Sequence, residues 1–226
     1  FGVLLFGSLV LLPPFVQDMG GYSVLDSGWI MAPRGAGTML ASFLVGYLVK
    51  YVDPRKIIAI AMFVIAGTMW QLSRFTTDID HTVITINNFI QGLAFGAFTV
   101  PLNSVAFTTL PPNLRDAGTS FYSLLNNIGR GFGVALFSTY FAVLSQTNHF
   151  HLSEIFHPEN ETLKHLHIPP SLSMHTMEGL AALERMVARQ GKLLAYIGDF
   201  QLLAIIIAAC IPILFFMSNP LKAKKA

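Results

Sequence analysis

The chain has 226 residues, of which 53% are hydrophobic, 12% aromatic and only 12% charged, and its mean hydropathy is +0.58. A soluble domain carries about twice that charged fraction, so an ordinary soluble enzyme or binding module is excluded and an all-α integral membrane protein is indicated. The net charge of +2 gives no argument for nucleic acid, and a single cysteine, Cys210, leaves neither a disulfide framework nor a cysteine metal site available.

Six membrane spans are predicted, over about 1–16, 28–49, 57–72, 83–110, 116–144 and 193–217, with a long outer loop at 146–192. The first span begins at Phe1 with no Met and no basic segment before it, so no cleavable signal peptide is read, and a piece of a longer chain is expected. The 17–27 link holds Asp18, Gly20, Gly21 and Asp26 and no Lys or Arg. The second span carries Arg34 one to two turns from its outer end. Two readings stand for it: the guanidinium snorkels to the headgroups, or it faces a central path from the outer side. Gly35, Thr38, Ser42 and Gly46 form a small-residue row that predicts close helix packing.

In the link Lys50-Tyr-Val-Asp53-Pro-Arg55-Lys56, Pro54 ends one helix and starts the next. The 73–81 link is polar. The fourth span places Asn88, Gly92, Gly96, Thr99 and Asn103 on one face with Gln91 beside it. Gly92 and Gly96 predict a small-xxx-small contact. The amides either bond between helices or line a substrate cavity. Pro101 predicts a kink, tolerated where protein or water satisfies the freed carbonyl.

The fifth span decides the functional reading. Thr119, Tyr122, Asn126 and Arg130 recur at three- and four-residue spacing, and Gly133 and Phe137 continue the row. A charge at mid-membrane costs at least ~2.5–3.5 kcal/mol, so Arg130 is expected to face water or a partner. It either lines a polar path or ties helices together through backbone carbonyls. The outer loop holds six of the seven histidines. His149/His151 and His165/His167 are close pairs, but no carboxylate or cysteine pattern completes a metal site, and none is expected. Asn160-Glu-Thr162 reads as a glycosylation sequon, relevant only in a eukaryotic secretory pathway, and 177–187 as a short amphipathic helix.

No Walker loop, HExxH, GxSxG or pair of intramembrane carboxylates occurs, so neither an enzyme nor a cofactor is expected. Asp199, about a turn inside the last predicted span, is the deepest acid, and none is expected at mid-depth to carry a proton. Lys50, Arg55, Lys56, Arg115, Lys222, Lys224 and Lys225 fall on one side of the membrane, against Arg74 in the other short links. The positive-inside rule puts that side, and both ends of the chain, in the cytoplasm, which makes the inner (plasma) membrane the expected location.

The 46–56 segment, with Asp53, Arg55 and Lys56, resembles the second copy of the signature cytoplasmic loop of the major facilitator superfamily. By that resemblance these residues gate the inner face. Leu11-Leu-Pro-Pro-Phe-Val-Gln17, Ala32-Pro-Arg-Gly35, Gln91-Gly-Leu-Ala-Phe-Gly96, Leu110-Pro-Pro112 and Asn127-Ile-Gly-Arg-Gly-Phe-Gly133 are similar to the EmrB/QacA-type fourteen-span drug–proton antiporters. That family usually has Arg at the position of Asn126 and a small residue at that of Arg130. The resemblance implies a C-terminal six-helix bundle of two three-helix repeats that rocks against an N-terminal half absent here. It implies small-molecule substrates and protons as partners, and for Gram-negative relatives a periplasmic adaptor at the long loop. Asn88, Gln91, Asn103, Asn126 and Arg130 are then the expected substrate lining, with Arg34 on the outer-side path.

Overall fold

The computed structural model describes residues 2–75, 80–108, 111–155 and 176–216. Among the described residues six long helices carry the fold: α1 (Gly2–Gly20), α2 (Val24–Leu48), α3 (Pro54–Leu72), α4 (His81–Thr108), α5 (Arg115–Ile155) and α6 (Met177–Cys210). No strand occurs among the described residues. All of these except α2 are long and apolar enough to cross a membrane. Helix α2 is 25 residues long, but Asp26, Arg34 and interspersed Gly, Ser and Thr dilute its hydropathy. What holds it in the bundle is its packing along α4, the most extensive helix pair in the fold. The chain is a multi-pass membrane helix bundle.

Local sequence explains the helix ends. Gly20 closes α1 and Gly21 follows at φ +68°, a left-handed conformation that glycine adopts without steric penalty. Ser23 caps α2: its Oγ accepts from the Asp26 amide at 3.1 Å and donates to the Asp26 carboxylate at 2.7 Å. Asp53 caps α3, accepting from the Arg55 amide at 3.1 Å, and Pro54 occupies the first helical turn, where no amide partner is needed. Pro13 and Pro14 do not stop α1, which runs four residues past its predicted end at Val16 to Gly20. A membrane helix tolerates proline when neighbouring helices cover the freed carbonyls.

Contact pairs set the topology. Ile30 meets Asn88, Arg34 meets Gly92 and Thr38 meets Gly96, so α2 and α4 run parallel. Gly2 meets Arg130, Val3 meets Gly133 and Gly7 meets Phe137, so α1 and α5 also run parallel. Helix α6 packs on α1, α3 and α5. The apolar core lies where α1, α3 and α6 meet, with Phe15 edge-on to both Tyr196 and Phe200 at 5.3 Å.

The 146–192 region departs from the loop expected there. Helix α5 continues to Ile155 and α6 starts at Met177, so the amphipathic 177–187 segment is the first part of a continuous helix and not a separate one. The two extensions support each other. Gly191 packs against the His149 backbone, and His149 Nε2 lies 2.8 Å from Glu184 Oε1. Thr176 caps α6, accepting from the Gly179 amide at 3.1 Å. The four histidines at 157, 165, 167 and 175, the sequon at 160–162 and the basic tail Lys222, Lys224 and Lys225 lie outside the described residues.

Candidate functional site

Two polar groupings flank α1. The first is Arg34 in the α2–α4 seam. Glycines at 37, 92 and 96 bring the two backbones together, and a Cβ on Gly92 would run into the Arg34 carbonyl. The Thr38 hydroxyl donates to the Gly92 carbonyl at 3.1 Å. Arg34 is 7% exposed, so it does not snorkel; it turns inward. Its Nη2 donates to Ser8 Oγ at 2.7 Å, and its guanidinium lies 4.7 Å from the centre of the Phe95 ring. Nη1 has no partner. Gly92 and Gly96 pack as the sequence predicts, but on α2 the packed row is Gly37, Ala41 and Val45. Of the row expected from Gly35, Thr38, Ser42 and Gly46, Thr38 and Ser42 meet α4 at Gly92 and Gly96, whereas Gly35 and Gly46 face open space, which corrects those two positions.

Three buried amides stand on α4. Asn88 donates weakly to the Ile30 carbonyl at 3.4 Å, and Gln91 Nε2 lies 3.9 Å from Met69 Sδ. Asn87, which the sequence did not single out, donates to the Thr68 carbonyl at 3.2 Å and to Gln71 Oε1 at 3.0 Å. Each of the three leaves its carbonyl oxygen without a partner. Asn88 faces α2, whereas Asn87 and Gln91 face α3, so these residues bond helix to helix across different seams.

The second grouping is on α1, α4 and α5. Tyr122 Oη donates to Asn103 Oδ1 at 2.7 Å. Tyr122 and Asn126 line a cavity of about 270 Å³ with Gly2, Val3, Leu102 and Gly129. Arg130, one turn further on, is half-buried. Its guanidinium lies 4.7 Å from the centre of the Phe6 ring, and its Nε has no partner. The predicted row therefore bends from open to closed along α5: Thr119 is exposed, Asn126 and Arg130 are half-buried, and Gly133 and Phe137 are sealed against α1. At this seam Asn103 bonds Tyr122, which lines the cavity with Asn126, and Arg130 lies one turn further along α5 against Phe6. Asn88, Gln91 and Arg34 sit elsewhere.

Asp53, Arg55 and Lys56 lie at the α2–α3 link, in neither grouping; Lys56 is exposed and Arg55 half-buried with its Nε unpartnered among the described residues. Among the described residues no three His, Cys, Asp or Glu side chains stand close enough to hold a metal ion. Sequence reasoning missed Ser8, Phe6 and Phe95 because each contributes only through a partner far along the chain.

Residues 1–152 match the family model described as Major Facilitator Superfamily. The chain belongs to the Major Facilitator Superfamily. It is 23% identical over 223 residues to the multidrug export protein EmrB of Escherichia coli K12, covering 98% of this chain and 44% of that protein. It is 30% identical over 136 residues to the multidrug resistance protein B homolog of Mycobacterium tuberculosis H37Rv, covering 59% of this chain and 25% of that one. The fatty acid resistance protein FarB of Neisseria gonorrhoeae is 24% identical over 216 residues, covering 95% and 42%. The chain thus spans less than half the length of these curated relatives.

Proposed function

We propose that this chain is the C-terminal half of a secondary transporter that exports drugs or other amphipathic organic molecules in exchange for protons, by alternating access. One observation carries the reading: α5 presents a broad apolar face beside a polar seam. Phe121, Leu124, Leu125, Ile128 and Phe132 are exposed, whereas among the described residues Phe137 is the one hydrophobic side chain of α5 that is buried in the core. Beside that face stand Tyr122 and Asn126 at the small cavity, with Arg130 one turn further on against Phe6. A sister bundle laid along α5 would enclose a cleft with an apolar wall, a few hydrogen-bonding groups and one guanidinium, which suits an amphipathic cargo. Sequence similarity to drug exporters supports the same class.

In this reading Asn103, Asn126 and Arg130 contact cargo. Asn88 and Gln91 serve the fold of the bundle, and Arg34 braces α1 against α2 and α4. Asp53, Arg55 and Lys56 gate the end that carries Lys50 and Arg115, which faces the cytoplasm of an inner-membrane protein. The helical extensions of α5 and α6 stand outside, where a periplasmic adaptor would dock. The work is transport, with no covalent chemistry.

Efflux of several unrelated dyes from cells carrying the full-length gene tests this. Broad efflux abolished by a protonophore is the expected result. Export of a single compound with no effect on the dyes would instead support a dedicated exporter of one metabolite, such as a siderophore. That second reading is favoured by the lack of any carboxylate beside Arg130 among the described residues, which leaves a guanidinium for an anionic cargo. No efflux of either kind would overturn the transport reading and leave the third one, an inactive truncated membrane fragment.

A further inference from the structure

The transport reading leaves one buried acid unused. Asp199 on α6 is 0% exposed, and neither of its carboxyl oxygens has a hydrogen-bond partner. It is far deeper than a helix-end position: α6 begins at Met177, and from Lys192 to Asp199 the helix descends about 10 Å into the bundle. Phe200 beside it is sealed edge-on against Phe15 of α1. One turn nearer the surface, Tyr196 donates from its Oη to Asp18 Oδ2 of α1 at 3.2 Å. Asp18 in turn lies 3.8 Å from Lys192 Nζ, and both of those side chains are close to half-exposed. Asp18, Tyr196 and Asp199 thus descend from solvent to the interior, with Tyr196 and Asp199 three residues apart and hence neighbours on one helix face.

Few other titratable groups surround this ladder. From α1 there is Asp18 alone, and α3 has none between Lys56 and its end at Leu72. From α5, Tyr140 and Leu144 crowd the backbone at Gly198. On α6 itself stand Arg189, which donates to the Met19 carbonyl beside Asp18 at 2.8 Å, Lys192, already at Asp18, and Cys210 at the far end. Among the described residues an ionised carboxylate sealed here has no counter-ion or donor to replace its lost hydration, and such groups inside a membrane mark routes for ions or protons.

We propose that Asp199 is a proton-binding site of this bundle, loaded from the Asp18 end through the Tyr196 hydroxyl. Tyr196 makes no direct bond to Asp199, so in the loading step the Tyr196 Oη–H proton passes through one intervening water to an Asp199 carboxylate oxygen, while the Tyr196 oxygen takes a proton from the Asp18 carboxyl to which it is bonded. The phenol is regenerated, and one proton has moved inward from Asp18 to Asp199. The inference rests on the proton-coupled export reading and names a residue for its coupling ion.

The test uses the full-length transporter in proteoliposomes, reading drug-coupled proton flux together with drug binding across pH. Asp199→Asn keeps size and loses the exchangeable proton. Coupled flux is expected to fall at least tenfold, drug affinity at fixed pH to stay within twofold, and the pH dependence of that affinity to flatten. Asp199→Glu is expected to retain coupling, and Tyr196→Phe to slow it at least fivefold. Wild-type flux and pH dependence in Asp199→Asn would overturn the proposal while leaving export intact. Should that variant fail to assemble, Tyr196→Phe decides, and a wild-type rate there overturns it. A wild-type protein that moves drug without protons would remove the antiport reading itself.

Discussion

Two guanidiniums stand near the middle of this bundle, on opposite sides of α1, and their surroundings differ. Arg34 is enclosed where α2 and α4 touch backbone to backbone; a serine hydroxyl and an aromatic face take the place of water. Arg130 leans on Phe6 at a seam that opens toward the Asn126 cavity, on a helix whose flank is largely exposed. The same side chain in the same kind of helix is a brace at one seam and an available charge at the other. What separates them is whether a second helix closes over the row. Glycine at 92 permits closure over Arg34, and none of the described residues covers the outer flank of α5.

The comparison can be broken most severely at its closed side. Gly92→Val places a branched side chain against the Arg34 carbonyl and should force α2 off α4, a loss on the order of 3 kcal/mol or more. Collapse of the monodisperse peak in detergent and a lowered melting temperature would show it. Gly35→Ala, pointing into open space on the same helix, should change stability by less than ~0.5 kcal/mol. Equal effects at the two sites would mean that the α2–α4 seam is misplaced.

Function should divide the two arginines next. Arg130→Met is expected to cut dye efflux at least tenfold with little change in melting temperature. Arg34→Met replaces a buried charge that has no carboxylate partner with an apolar chain, so melting should stay level or rise. If Arg34→Met abolishes efflux at an unchanged melting temperature and Arg130→Met transports normally, the assignment of brace and cargo contact is reversed.

Smaller effects sharpen the picture. Tyr122→Phe removes the bond to Asn103 and should cost about 1 kcal/mol, measurable by thermal or denaturant unfolding. The weakest expected change is His149→Gln. Its contact with Glu184 lies near the surface, and solvent screening leaves at most ~0.5 kcal/mol, best read by hydrogen exchange in the α5 and α6 extensions.

Much of this was legible in the residues. The membrane class, the helical spans, the Gly92–Gly96 contact and the recurrence of Asn126, Arg130, Gly133 and Phe137 on one face follow from composition and 3.6-residue periodicity. The error on α2 is instructive: Gly35, Thr38, Ser42 and Gly46 satisfy a helical spacing as well as Gly37, Ala41 and Val45 do. Small size marks a row as able to pack, and two such rows on one helix cannot be ranked without the partner. The misplaced outer loop has a different cause. Polar residues at 146–155 and 177–192 lower hydropathy as a loop does, yet they continue two helices beyond the apolar spans.

Sequence alone determined that this chain crosses a membrane as helices and which polar side chains it carries there, because local periodicity and transfer energies are properties of short stretches. Only the tertiary structure decided where those side chains point. Ser8 meets Arg34, Tyr122 meets Asn103, and Asp199 is sealed beneath Tyr196 and Asp18. Periodicity says which residues share a face; it cannot say which helix, or which absent neighbour, that face meets.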